Sequence, residues 1–388
     1  MLRRSHWLLT ALVFLLIAVG IVFVRSACAS RADPVLRLLY RRQIVWAIAG
    51  VGLYGLVAAF DYRRWLEAAG FLYGMALVLL GMTLVVGRTL YGSRRWLNFF
   101  GFTLQPSELA KIAYLLFAVW VLTRPLTDRT RWKTAGLILG LAALPAVLIV
   151  RQPDLGTALV FPALGGILLF LSGFPWRKLM AMGGAVLLAA LYLAAALIGP
   201  KWAGLDEEGQ QRVFHAMTGL REYQWKRLTV FLDPAADPTG AGYNTRQSLL
   251  AVGSGGCRGV GYGAGVQSAL GYLPSTVAPT DFIFSVIAEE TGFLGAASLL
   301  LLYLGVLGCG WRIAWQAPES SGRLLAGGVT GLLALHVFVN VGMTIGLLPV
   351  TGLPLPLVSY GGTFMLATMA AVGLLQSVHL HPKPAERA

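Results

Sequence analysis

Pro279-Thr280-Asp281-Phe282-Ile283-Phe284-Ser285-Val286-Ile287-Ala288-Glu289-Glu290 opens a long apolar run and puts three carboxylates into it. A carboxylate at the start of a membrane-spanning helix is tolerable, because the unpaired N–H groups and the helix dipole favour negative charge there. Glu289 and Glu290 have no such support. On a continuous helix rising about 1.5 Å per residue they lie about 12 Å beyond Asp281, in hydrocarbon, where an ionisable residue marks function unless lysine or arginine pairs with it. The stretch predicts a membrane helix entered at Asp281, with a functional acid at its mouth. The plainer alternative makes Asp281 or Thr280 a helix cap.

The remaining composition agrees with a membrane protein. Of 388 residues, 57% are apolar and 12% charged, and the mean hydropathy is +0.70, which excludes a soluble multidomain chain. The net charge of +14 would suggest nucleic acid in a soluble domain. Here the arginines sit in short loops between apolar runs, where topology and lipid headgroups explain them, and no nucleic-acid partner is expected. Cys28, Cys257 and Cys309 form no metal-binding spacing and leave a Cys28–Cys257 disulfide open. The first apolar run follows two arginines and precedes no small-residue cleavage site, so it predicts a retained span rather than a signal peptide.

Runs long enough to cross about 30 Å of hydrocarbon fall near 7–24, 44–60, 66–86, 109–123, 134–150, 157–173, 179–199, 282–308, 324–347 and 357–378. They predict an all-α bundle of about ten transmembrane helices in one domain, residues 1–388, with a long extracytoplasmic loop at 200–279. The fourth and fifth runs are the weakest. An even count puts both termini on one side. Pro106-Ser107-Glu108, Pro153-Asp154 and Pro279-Thr280-Asp281 all open even-numbered spans, so three acidic helix starts share the opposite face.

Lysine and arginine divide nearly evenly between the two faces. Leaving out Lys201 to Arg258, since long loops do not count, favours cytoplasmic termini and acidic starts outside. Arg25, Arg31, Arg37, Arg41, Arg42, Arg88, Arg94, Arg95 and Arg151 then lie outside, against the insertion bias. A polyanionic ligand such as a diphosphate accounts for them better than headgroups alone.

Within the loop, Trp225, Leu228, Phe231 and Leu232 recur at helical spacing beside Lys226 and Arg227, predicting a short amphipathic helix in the membrane interface. Gly253 to Gly265 holds seven glycines. No strand precedes it, so it is not a dinucleotide loop, and it predicts backbone approaching a ligand or partner closely. From Gly346 to Gly362 three prolines break the chain, and such backbone is tolerated at membrane depth only inside protein or along a cavity.

Glu108 and Lys111, one turn apart, can pair. Together with Asp154, Asp281 and the arginines they are the equipment for deprotonating a hydroxyl that displaces a phosphate leaving group. The membrane setting implies that the phosphate arrives on a lipid. There is no Walker lysine, HExxH or GxSxG motif, and Ser107 and Lys111 are spaced SxxxK, not the SxxK of penicillin-recognising enzymes.

Five segments resemble the SEDS family of RodA, FtsW and SpoVE, in that family's order and across nearly the whole chain. They are Arg95-Trp96-Leu97; Gln105 to Lys111; Gln152 to Ala158; Thr280 to Phe284 with Glu289-Glu290; and Leu348 to Gly352 with Ser359 to Gly362. Gln152 to Ala158, Gln267-Ser268 and Gly346 to Gly352 are more similar to the RodA branch. The resemblance implies a ten-helix glycosyltransferase that polymerises lipid II into peptidoglycan at the outer face of the bacterial plasma membrane, for cell elongation and shape. It implies a class B penicillin-binding protein as cross-linking partner, and leaves a divalent cation (Mg or Mn) open as a cofactor. Asp281 becomes the catalytic base, and Glu108, Lys111, Asp154, Arg94, Arg95, Gln105, Gln152 and Ser359 become substrate-binding or supporting residues.

Many relatives carry Leu-Pro-Glu and a histidine before Thr-Asp-Phe, where this chain has Leu273-Pro274-Ser275 and Pro279, so those two roles do not carry over. The alternatives are a flippase for a polyprenyl-diphosphate lipid, a division polymerase like FtsW, and a non-enzymatic scaffold. A flippase would want charge near the midplane and two related halves, and no internal repeat is visible.

Overall fold

The computed structural model describes residues 6–29, 34–90, 93–99, 102–125, 127–219, 222–233, 237, 240–274 and 277–382. Arg31 and Ser275 lie outside them, as do the side chains of Arg88 and Arg94. The first half holds α1 (Trp7–Ala29), α2 (Pro34–Arg37), α3 (Leu39–Ala59), α4 (Tyr62–Glu67), α5 (Ala69–Val86), α6 (Pro106–Leu122), α7 (Trp132–Arg151) and α8 (Leu155–Leu171). The second holds α9 (Trp176–Trp202), α10 (Glu207–Thr218), α11 (Glu222–Leu232), α12 (Ala241–Ser254), α13 (Val266–Ala269), α14 (Ile283–Gln316), α15 (Ser320–Thr344) and α16 (Gly362–Leu380).

Among the described residues, eight helices are long and apolar enough to cross a membrane: α1, α3, α5, α7, α9, α14, α15 and α16. The 17-residue α6 and α8 stand where the fourth and sixth spans were expected, so all ten expected places are helical. The fifth, expected to be weak, is the 20-residue α7. Pro106 at the first turn of α6 suits a position whose N–H would be unbonded anyway.

The antiparallel sheet β1 (Arg88–Leu90), β2 (Ser93–Phe99) and β3 (Phe102–Leu104) was not foreseen. It fills the connection between α5 and α6 and carries Arg95 and Trp96 onto the bundle. Helix α11 forms as expected, with Leu232 exposed and Trp225 and Leu228 turned onto neighbouring helices. Trp225 is buried with Ala196 of α9 and Phe214 of α10, and Leu228 packs on them. No disulfide joins Cys28 to Cys257.

The expected course of the eighth span needs correction. Gly292 takes φ 67 and ψ −166 and breaks α14 in two. Helix α1 serves as a ruler for depth. Gly20 lies against Val358, where an added Cβ would come within 2.7 Å of the Val358 Cα, and neighbouring Ser359 donates its hydroxyl to Thr280 O at 2.5 Å. Ser26, six residues or about 9 Å further toward the end of α1, donates to Glu290 Oε1 at 2.5 Å. The chain therefore rises from Asp281 to Glu290 toward the face where α1 ends, then turns back at Gly292. Glu289 and Glu290 lie nearer that face than Asp281, not deeper, and they bond Gln267 N–H and Ser26 rather than lysine or arginine.

The glycine-rich run closes this break by approaching the chain's own helix. Val260 and Gly261 N–H donate to Glu289 O and Glu290 O, while Phe293 and Leu294 N–H donate to Gly256 O and Cys257 O. Those are the backbone groups that the break leaves without helical partners. A Cβ on Gly255 would strike Ala288 O, and one on Gly259 would strike Glu290 O.

Candidate active site

The three acidic helix starts meet. Glu108 in the first turn of α6, Asp154 capping α8 and Asp281 just before α14 all line one cavity of about 360 Å³, with Arg95, Gln105, Thr157, Arg227, Gly352, Pro354 and Tyr360 to Gly362 completing much of its wall. The proline-broken segment thus borders the cavity, as its sequence required. It is tied down by polar bonds. Asn340 donates to both Asp281 O (2.8 Å) and Leu353 O (2.7 Å), Tyr360 N–H to Pro279 O (2.8 Å), and Leu355 N–H to Ser359 Oγ (2.8 Å).

The three carboxylates differ in their partners. Glu108 Oε2 is 2.8 Å from Lys111 Nζ, with both side chains buried. Lys111 also lies 2.8 Å from His336 Nε2. An ammonium can only donate, so Nε2 accepts and the ring proton sits on Nδ1, which bonds Leu332 O at 2.9 Å. Asp154 accepts from Thr157 N–H (3.1 Å) and Thr157 Oγ1 (2.9 Å) and pairs with Arg95 Nη1 at 3.3 Å. Asp281 is half-buried at the wall and has no ion pair among the described residues. Desolvation pushes its carboxyl up to about 6; the charge of Asp154 adds to this, while Arg95 and Arg227 pull it back down.

Several expected residues support the cavity without lining it. Gln152 is buried and donates to Leu80 O at 3.0 Å. Ser359 is buried in the knot that holds Thr280. Lys111 lies behind Glu108, in a smaller adjoining cavity with His336, so it does not reach the same wall as Asp281. Arg95 lines the cavity, but its guanidinium is spent on Asp154, Pro153 O and Gln152 O. It is the only one of the nine expected outer-face arginines with a described side chain on that wall. Arg25 instead stacks over Tyr40, and Arg41 bonds the Tyr40 hydroxyl.

His336 and Arg227 were not singled out. His336 sits in an ordinary apolar run, and Arg227 reads as the polar side of an amphipathic helix.

A cation site does not fit this donor set. Two of the three carboxylates already hold cations, and among the described residues no three His, Cys, Asp or Glu side chains gather to bind a metal. On the far side of Ile112 an apolar cavity of about 220 Å³ runs between α3, α5, α6 and α16, lined by Leu53, Leu72, Leu109 and Leu374 among others.

The family model of FtsW, RodA and SpoVE, described as cell cycle proteins, matches residues 6–383. The chain is 40% identical over 322 residues to the peptidoglycan glycosyltransferase MrdB of Escherichia coli K12, covering 83% of this chain and 80% of that one. Its fold is similar to a chain of a peptidoglycan synthase complex that coordinates polymerization and crosslinking (TM-score 0.78, 34% identity, 98% of this chain and 99% of the other). It is also similar to the rod shape determining protein RodA of Thermus thermophilus (TM-score 0.67, 31% identity, 98% of each chain).

Proposed function

The chain belongs to the FtsW, RodA and SpoVE family and is a membrane-embedded peptidoglycan glycosyltransferase; from that premise we propose that it polymerises lipid II at the outer membrane face, with Asp281 as general base. The observation that carries this reading is the charge state of the cavity. Three helix starts bring three carboxylates to one wall; Glu108 is neutralised by Lys111 and Asp154 by Arg95, which leaves Asp281 to accept a proton.

In the reaction, Asp281 takes the proton from the 4-hydroxyl of the acceptor sugar. The freed oxygen attacks the anomeric carbon of the donor chain, the bond from that carbon to the phosphate oxygen breaks, and the diphosphate departs on its lipid. A base whose pKa stands near the working pH suits such a transfer. The lipid's apolar chain has a matching surface in the cavity beside Ile112. The partner is a class B penicillin-binding protein, the termini are cytoplasmic, and the role is elongation, as in the RodA branch.

Reconstituting the purified protein with lipid II, with and without the transpeptidase, tests this. Glycan polymer is expected. Lipid II crossing the bilayer without polymer would favour the flippase, and neither outcome would leave a scaffold.

A further inference from the structure

We propose that His336 of α15 is a positioning residue for the glycosyl transfer: through Lys111 it fixes the Glu108 carboxylate at the cavity wall, where that carboxylate accepts a hydrogen bond from a sugar hydroxyl of the substrate. The assignment rests on the polymerase reading of the same site.

Glu108 borders both the reaction cavity and the smaller cavity behind it, in which Lys111 and His336 lie. It is the partition between the two. A carboxylate accepts hydrogen bonds and donates none, which suits one held there to the O–H groups of a sugar. Its contact with Lys111, 2.8 Å long, joins two residues of one helix, and the ammonium rides on a flexible four-carbon stem. That contact alone leaves the pair free to swing together along α6.

The second hold comes from other helices. Lys111 Nζ lies 2.8 Å from His336 Nε2 on α15, and the ring of Phe364 on α16 is centred 5.5 Å from the same nitrogen. His336 is itself fixed. Its Nδ1 bonds Leu332 O at 2.9 Å, its ring lies 5.5 Å from that of Phe364, and the residue is 3% exposed. A buried ammonium that loses an acceptor must find another, so without the imidazole Lys111 moves and takes the Glu108 carboxylate with it.

Helix α15 uses this device twice. Asn340, one turn beyond His336 and also buried, donates to Asp281 O and Leu353 O. Two of the cavity's acids thus take their places from one face of α15, Asp281 through its backbone and Glu108 through Lys111.

The experiment uses the full-length protein reconstituted with lipid II, and two amides separate the two bonds of the imidazole. His336→Gln places an amide oxygen near the position of Nε2 and keeps the contact to Lys111, whereas His336→Asn keeps only a donor for Leu332 O. At equal amounts of folded protein, His336→Gln should stay within about threefold of the wild-type kcat/KM and His336→Asn should lose about tenfold or more, as for one hydrogen bond to a charged group. Lipid II binding, measured in the Asp281→Asn background, distinguishes positioning from packing. There His336→Asn should weaken binding about tenfold while Glu108 is present, and less than about twofold once Glu108→Gln is added, because the residue it acts through is gone. Thr330→Ala removes another buried α15 side chain, one bonded to Ala326 O of its own helix, and should lower the melting temperature without moving kcat/KM or binding.

Wild-type kcat/KM and binding in a folded His336→Asn protein would overturn the proposal, and so would equal losses with and without Glu108. His336→Leu, which fills the same space without the acceptor, stands in if His336→Asn does not fold and is read by the same criteria. A wild-type protein that makes no glycan polymer would instead overturn the polymerase reading, so the two failures are separable.

Discussion

Lys111 Nζ lies 2.8 Å from Glu108 Oε2, a turn apart on one helix, with both side chains shut away from solvent. Removing one partner of such a pair strands a buried charge, at a cost of about 3–5 kcal/mol. Lys111→Met should therefore lower the melting temperature in detergent sharply, and adding Glu108→Gln should recover much of the loss. Lys111→Glu should harm activity more than Arg129→Glu, since Arg129 only bridges Leu122 O and Ser320 in the α6–α7 connection. Equal effects would mean that the pair does not support the cavity.

Asp281→Asn should lower polymerisation by about 10² or more, the usual worth of a general base, while insertion and partner binding persist. In the wild type, activity should fall as pH drops through about 6, where Asp281 takes up its proton. The stability effect has the opposite sense. Because the folded pKa lies above the unfolded value, folding favours the protonated form, so the cost of burying the charge is present above about 6 and gone below the unfolded pKa of about 3.9. The Asn variant should thus melt above the wild type at pH 8, with the gap closing on acidification. A wild-type acid limb near pH 4 would contradict the environment described for Asp281.

Gly292→Ala and Gly259→Ala should each destabilise the fold, because both residues have positive φ and an added Cβ would run into Gly259 N and Glu290 O respectively. Gly140→Ala, with open space around it, is the control and should be close to neutral. Thermal melts of the three variants decide it, and three similar melts would argue against the break at Gly292.

Sidedness is open to chemical labelling. Cys257 is exposed and Cys28 and Cys309 are buried, so an impermeant maleimide should label the protein in intact spheroplasts through Cys257. After Cys257→Ala, a cysteine placed at Arg129 should stay unlabelled until the membrane is permeabilised. Labelling of that cysteine in intact cells would invert the topology.

Much of this architecture could be read from the chain alone, and the lapses have a common origin. Length and hydropathy locate spans, and a proline followed by an acid marks a helix start, so the meeting of Glu108, Asp154 and Asp281 followed from parity. Hydropathy is blind to direction. The apolar pattern that begins at Ile283 resumes at Phe293 beyond Glu289-Glu290-Thr291-Gly292, so hydropathy alone does not show that the chain turns back there, and Glu289 and Glu290 were placed at the wrong depth. Residue type likewise does not reveal commitment: Arg95 reads as a phosphate ligand until its bonds to Asp154, Pro153 and Gln152 are seen. The sheet at Arg88 to Leu104 escaped notice because its three strands are short and polar residues interrupt them.

The knot around Asp281 also sets an order of biogenesis. Asn340, Leu353, Ser359 and Tyr360 anchor the backbone from Pro279 to Asp281, and Gly20 of the first span receives Val358 of the last connection. A ribosome that has delivered eight spans to the membrane has released Asp281 but none of these four anchors. A chain truncated before Asn340 therefore lacks every one of these anchors and is expected to insert without polymerase activity.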